Sequence, residues 1–417
     1  MSSTAQVIRA NIARGARLAF VARAATRLAP YLAFLAAVLG EGVVLYPPLF
    51  NLTDHLVFWQ VGHVIVTGGS PYDLEAWREA GARFGGHIAD LLDHPRPVPW
   101  PHPPWTALVF APFGLLSPLL GTWALHLSYL VAGLAGTVLL ARQLPWSTRS
   151  GYTYALVLLI TFQPLVIAAR WGQFGSFLLV GAALVSVGVG RRATAPFAVG
   201  TLLLFLKPHL SVGLAPVALA RLVTRRDWRT IAVTSLALVA VAVVTFVAQP
   251  AASETIGIGV VDRLKVAYLF GSTWSFALNT AGAFAVPVEV ALVAASTAAC
   301  AAAVFWAPPR LRDHALLAAG FVFSEAAVPY LFSYDYVLLA PAVAFSVLAA
   351  ERAPAAVRAA HLLTALVVVT FVPWIAFFYA IMQATQAASG VVPVFVALLL
   401  AASARLAAAA DARAASP

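Results

Sequence analysis

The stretch RTIAVTSLALVAVAVVTFVA, residues 229–248, decides how the whole chain is read. From Thr230 to Ser253 no side chain carries a charge. At a helical rise of about 1.5 Å per residue, about 20 such residues cover about 30 Å, the thickness of bilayer hydrocarbon. Arg221, Arg225, Arg226 and Arg229 crowd its N-terminal side, and no further arginine follows until Arg263. A transmembrane helix with its arginine end in the cytoplasm has this asymmetry.

Runs of the same kind recur outward from it. Spans are expected near 29–48, 103–118, 121–141, 152–169, 174–190, 195–207, 209–223, 229–248, 281–306, 314–331, 335–350, 359–384 and 390–409. The mean hydropathy is +0.88 and only 10% of residues are charged, against about a quarter in soluble domains. Two or three soluble domains, which length alone would suggest, are excluded. The chain reads as one all-α polytopic membrane domain over 1–417, with a basic arm at 1–28, outer loops at 51–101 and 249–280, and a tail at 410–417. The first apolar run, 28–45, follows Arg9, Arg14, Arg17, Arg23 and Arg27 and lacks a small-residue cleavage site, so it is a retained helix rather than a signal peptide. Cys300, the only cysteine, lies within an apolar run, which excludes an internal disulfide and argues against a thiolate metal site. A net charge of +10 would suit nucleic acid, but the arginines are spread over short interhelical loops, as the positive-inside rule requires.

Those loops set the topology. Arg142/Arg149, Arg191/Arg192, Arg221/Arg225/Arg226/Arg229, Arg310/Arg312, Arg352/Arg358 and Arg405/Arg413 fall on the cytoplasmic side with the N-terminal arm. Only Arg78, Arg83, Arg96, Arg170 and Arg263 fall outside. Both termini inside require an even number of crossings, so twelve are expected. The segment 103–118, opening on His102-Pro103-Pro104, is then re-entrant or broken, and the run 195–223 breaks at Lys207-Pro208 into two short helices. Within the first outer loop, an amphipathic stretch at 54–66, a turn at Gly68-Gly69-Ser70-Pro71 and a second helical stretch at 74–92 are expected to lie in the membrane interface.

Charges beside hydrocarbon are costly, so those kept there are functional candidates. On the outer face these are Asp54, Asp73, Arg170, Lys207, His209 and Asp335, with His102, Gln173 and Tyr334 as polar neighbours. Asp54 suits a general base or, equally, a helix N-cap. Lys207, one of two lysines in the chain, suits a lipid phosphate or a snorkelling side chain. Arg170-Trp171-Gly172-Gln173 suits a phosphate or sugar, or an interfacial aromatic belt. Asp335 orients a cation or sugar hydroxyl, or caps a helix. Glu41, Glu289 and Glu325 lie inside apolar runs, where proton coupling competes with pairing to a neighbouring helix. Five of the nine histidines fall between His55 and His102, but His87 and His94 supply no metal-ligand pattern. No P-loop, GxGxxG or DxD motif points to a nucleotide.

These residues occur in ordered motifs: Asp54 with Phe58-Trp59; Gly68-Gly69-Ser70-Pro71-Tyr72-Asp73; His102-Pro103-Pro104 leading to Ala111-Pro112-Phe113; Gly172-Gln173; Phe205-Leu206-Lys207-Pro208; and Pro329-Tyr330-Leu331-Phe332 with Tyr334-Asp335-Tyr336. In this order the chain resembles glycosyltransferase family 87, membrane enzymes of the GT-C fold. The family commonly has tyrosine where His102 stands and a polar residue where Phe174 stands. The resemblance implies inverting transfer of a hexose, mannose in the related enzymes, from a polyprenyl-phosphate donor to a glycolipid or cell-envelope glycan at the periplasmic face of a bacterial plasma membrane. Asp54 would be the base, with Lys207, Arg170 and His209 at the donor phosphate, and Gln173, His102, Tyr72, Asp73, Tyr334 and Asp335 toward sugar or acceptor. No metal or other cofactor and no nucleic acid enter this scheme. The rival reading is a transporter or flippase of lipid-linked sugars, which would show repeated halves and mid-membrane charges.

Overall fold

The computed structural model describes residues 54–85, 100–147, 149–265, 269–329, 331–383 and 385–415. The expected first span at 29–48 with Glu41, the basic arm, His87, His94 and Tyr330 lie outside them. Among the described residues every regular element is helical. The order is α1 (Asp54–Val66), α2 (Leu74–Ala82), α3 (Pro104–Leu108), α4 (Ala111–Gly114), α5 (Pro118–Gln143), α6 (Arg149–Ile160), α7 (Gln163–Trp171), α8 (Gly175–Arg191), α9 (Thr194–Leu204) and α10 (Leu214–Thr224). It continues with α11 (Trp228–Ala248), α12 (Ala252–Lys265), α13 (Thr273–Ala281), α14 (Ala285–Trp306), α15 (Arg312–Ala327), α16 (Ala340–Ala350), α17 (Ala355–Leu366), α18 (Val372–Gln383) and α19 (Val392–Ala415).

The deciding stretch is α11. Asp227 caps it, accepting the Thr230 amide at 3.2 Å and the Thr230 hydroxyl at 2.9 Å. Leu236, Val239, Val243, Val244 and Val247 stand exposed on it among the described residues, an apolar face suited to lipid. Among the described residues five helices are long and apolar enough to cross a bilayer: α5, α11, α13 with α14, α17 with α18, and α19 with the turn before it. The pair α6 and α7, bent by 45°, makes a sixth if it is one span. The protein is a multi-pass membrane protein.

Shorter apolar helices, α8, α9, α10 and the run Asp335–Ala350, stand where spans are expected at 174–190, 195–207, 209–223 and 335–350, and α15 fills most of the stretch expected at 314–331. Their breaks are internally satisfied. Between α9 and α10 the chain turns through Pro208–Ser211, and the freed amides of Gly213 and Leu214 donate to the Ser324 hydroxyl of α15 at 2.8 and 3.2 Å. The stretch 103–118 is broken, as expected, into α3 and α4 before α5 begins.

Within the second outer loop α12 fills 252–265 and α13 starts at Thr273, where Ser272 caps it. One expectation changes: α1 does not lie apolar face down at the interface, because His55, Leu56, Phe58, Trp59, Gln60, Val61, Gly62 and Val64 are buried around its circumference. The reason is a backbone contact. A Cβ on Gly62 would overlap the Phe110 carbonyl, and one on Gly114 would overlap the Gly62 backbone, so α1 and α4 touch main chain to main chain.

The arginine-bearing turns meet at one end. Arg221 and Arg225 both pair with Asp313, the former at 2.7 Å, and Arg225 also reaches the Val189 carbonyl. Arg310 and Arg352 share Asp411 at 2.6 and 3.6 Å. Glu351 accepts from the Ser147 amide and hydroxyl at 2.7 Å. α8, 17 residues long, runs from Gly175 to Arg191 at this end, a span of about 25 Å. Its other end carries the motif residues.

Candidate active site

Asp54 is the first described residue of α1. Its carboxylate accepts a hydrogen bond from the Gln173 side-chain amide. Gln173 is presented by a left-handed turn at Gly172 (φ 71°), which ends α7 and lets the Gln173 amide close onto the Ala168 carbonyl at 2.7 Å. Glycine is required there twice over. The positive φ disfavours any side chain, and a Cβ would lie 2.7 Å from the His55 ring.

The next residue, Phe174, is fully buried. Its ring meets His102 edge-on at 5.3 Å, packs with Phe58 at 5.1 Å, and lies 5.6 Å from the Lys207 ammonium. The Tyr334 ring lies 5.1 Å from that ammonium. Lys207 bonds to Asp335 at 2.6 Å, with side-chain exposures of 5% and 2%. Lys207 therefore does not snorkel. Asp335 opens a 3-10 turn, and its second oxygen takes the Phe332 amide at 3.1 Å. Asp54, Gln173, Phe174, Lys207 and Asp335 thus form one continuous cluster, although their motifs are far apart in sequence.

Neighbouring segments hold the cluster. Trp105 on α3 stacks on Phe205 at 4.4 Å and donates to its carbonyl at 2.8 Å, which fixes the residues just before Lys207. The turn at 331–336 is tied down by the Gly271 amide to the Leu331 carbonyl at 2.6 Å, by Tyr336 to the Gly271 carbonyl, and by the Ser333 amide to Gln386 at 2.8 Å.

The remaining expected residues are placed unevenly. Tyr72 is buried and donates to the His102 carbonyl at 2.7 Å; burial pushes its hydroxyl above the usual range, so it stays a donor. Asp73 is exposed and spends its carboxylate on the Glu75 and Ala76 amides at the start of α2. Arg170 is half-buried at the end of α7 and has no ion-pair partner among the described residues. Trp171 beside it meets Tyr334 at 6.1 Å and Phe377 at 5.8 Å. His209 is half-buried in the turn Pro208–Ser211. Among the described residues no three His, Cys, Asp or Glu side chains stand close enough to hold a metal ion.

Glu325 on α15, one of the three carboxylates expected inside apolar runs, is fully buried, and neither of its oxygens has a hydrogen-bond partner among the described residues. The pair His55 and His126 was missed in the sequence. His55 is fully buried against His126, and burial first, then His126, holds its imidazole well below the usual range. A histidine in the middle of the apolar run 121–141 was the available signal.

A family model, glycosyltransferase family 87, matches residues 100–333, more than half of the chain. The chain belongs to glycosyltransferase family 87. It is a membrane glycosyltransferase, and the transporter reading gives way. No curated protein and no solved structure is significantly similar to it. The region matched to glycosyltransferase family 87 contains His102, Arg170, Gln173, Lys207 and His209. Asp54 and Asp335 lie to either side of it, and the fold brings both to its edge at Gln173 and Lys207.

Proposed function

We propose that this glycosyltransferase transfers a hexose, mannose by its resemblance to the related enzymes, from a polyprenyl-phosphate donor to a glycolipid or cell-envelope glycan acceptor. The reading rests on Asp54, whose carboxylate Gln173 engages next to Phe174 and the buried Lys207–Asp335 pair. Asp54 takes the proton of the acceptor hydroxyl as that oxygen attacks the anomeric carbon from the face opposite the phosphate. The anomeric carbon to phosphate-oxygen bond breaks, its electron pair leaves with the polyprenyl phosphate, and the configuration inverts.

The leaving phosphate gains charge as that bond breaks, so preorganised donors nearby lower the barrier. Lys207 and Asp335 together are neutral. Arg170, without a carboxylate partner among the described residues, brings a positive charge, and His209 stands on the turn that carries Lys207. Lys207 makes one hydrogen bond among the described residues, which leaves N–H groups for a phosphate oxygen. Tyr334, Trp171 and His102 offer ring faces and edges to a sugar. The arginines at the far end support a site on the periplasmic side of a bacterial plasma membrane, by the positive-inside rule.

The test supplies membranes carrying the wild-type protein or Asp54→Asn with polyprenyl-phosphate mannose, polyprenyl-phosphate glucose and candidate glycolipid acceptors. Asp54→Asn is expected to lose about 10²- to 10⁴-fold in transfer rate, the usual contribution of a positioned base. A variant that transfers at the wild-type rate removes Asp54 from this role.

A further inference from the structure

Behind Asp54 lies a group of titratable side chains that sugar transfer as described does not use. His126 Nδ1 and His55 Nε2 are 3.2 Å apart, with ring centroids at 5.0 Å and an interplanar angle of 63°. At that distance one imidazole donates and the other accepts, so the pair holds one shared hydrogen bond. His55 is also the residue next to Asp54 on α1.

His126 and Tyr129 sit one helical turn apart on α5 and share a face. The Tyr129 ring meets His55 edge-on at 5.5 Å. Its hydroxyl is fully buried without a hydrogen-bond partner among the described residues, and the Asp54 charge acts on it. The turn that fixes Asp54 fixes this group too, since Gly172 lies against the His55 ring and Gln173 holds the Asp54 carboxylate.

The group reaches the surface of the described residues near the first turns of α5: His55 is buried, His126 is half-buried, and His126 meets Trp123 edge-on at 6.1 Å. Burying two imidazoles and a phenol costs more than filling the same space with leucine and phenylalanine. Packing alone does not call for them.

We propose that His55, His126 and Tyr129 form a proton relay that restores Asp54 after each transfer; this rests on the assignment of Asp54 as the base. The acceptor proton passes from the Asp54 carboxyl, by way of the Tyr129 hydroxyl or a water beside it, to the imidazole pair. The resulting imidazolium is shared between Nε2 of His55 and Nδ1 of His126. His126 releases the proton to bulk water, and Asp54 returns to its carboxylate. No electron pair moves apart from those of the protons in transit.

The relay acts after the sugar has moved, so its loss slows turnover and spares the first transfer. The experiment compares single-turnover and steady-state transfer by the wild type, His126→Ala, His126→Phe and Asp54→Asn in membranes, with and without added imidazole. For His126→Ala the steady-state rate is expected to fall about 10²-fold, with single-turnover rate and acceptor KM near wild type and with steady-state recovery in imidazole. His126→Phe keeps the volume and is expected to show the same loss without recovery. Wild-type turnover in either variant overturns the relay. So does a loss that is equal in single turnover and unmoved by imidazole, which assigns His126 to packing. A loss reversed by divalent cations instead of imidazole overturns it in favour of a metal pair. The Asp54→Asn arm separates the two readings: an inactive Asp54→Asn beside a wild-type His126→Ala rejects the relay alone, whereas an active Asp54→Asn rejects the base itself.

Discussion

At the arginine end, Asp411 takes 2.6 and 2.9 Å hydrogen bonds from Arg310, whose side chain is 37% exposed. At the opposite end, Lys207 and Asp335 meet at the same 2.6 Å with almost no exposure. The geometry of the two pairs is alike and their physics differs. A wet pair exchanges water for a partner at little net gain. A buried pair has already lost its water, so each ion depends on the other. The Arg310–Asp411 pair can therefore vary without much consequence for the fold. The cluster end cannot.

The contrast can be broken by removing one ion at each end. Lys207→Met leaves Asp335 buried without its cation and is expected to destabilise the protein by about 3–5 kcal/mol. Thermal unfolding in detergent reads this, and the double variant with Asp335→Leu should be less damaged than Lys207→Met alone. A double variant as unstable as the sum of the singles would show that the pair is not coupled.

Gly172→Ala comes next. It forces a side chain into a left-handed backbone, at about 1–2 kcal/mol, and pushes a Cβ against the His55 ring. The sharper readout is transfer, since Gln173 and Asp54 move with that turn. Expected is a modest fall in unfolding temperature with a disproportionate fall in kcat; retained kcat would detach Gly172 from the positioning of Asp54. Smallest is Arg310→Ala. Breaking a pair this exposed should change stability by about 0–1 kcal/mol and leave the transfer rate unchanged, as measured side by side with Lys207→Met.

Much of this was open to reading in one dimension. The stretch 229–248 returns as α11 within a residue, and the breaks at His102-Pro103-Pro104 and Lys207-Pro208 return as the turns around α3 and Pro208–Ser211. Length, hydropathy and proline report on local geometry, so they suffice for such elements. Lys207 and Asp335 were both legible as candidates, but neither position reveals that they satisfy each other. Asp73, in the same loop as Asp54, was placed toward sugar or acceptor. Only the start of α2 shows that its carboxylate is used by the backbone two and three residues on. The burial of α1 was hidden because Gly62 and Gly114 carry no side-chain signal; what they permit is a backbone approach from another segment.

The sequence by itself determined that the chain crosses a membrane repeatedly, that its arginines mark one side, and which polar residues stand where hydrocarbon makes them costly. Those follow from the free energy of single segments in lipid and water. Tertiary structure alone decided which of those residues share a site, that Gln173 engages Asp54, and that two histidines 71 positions apart lie in hydrogen-bond contact behind it. Partner choice depends on side-chain distances of a few ångströms between separate helices, and no local pattern along the chain encodes those.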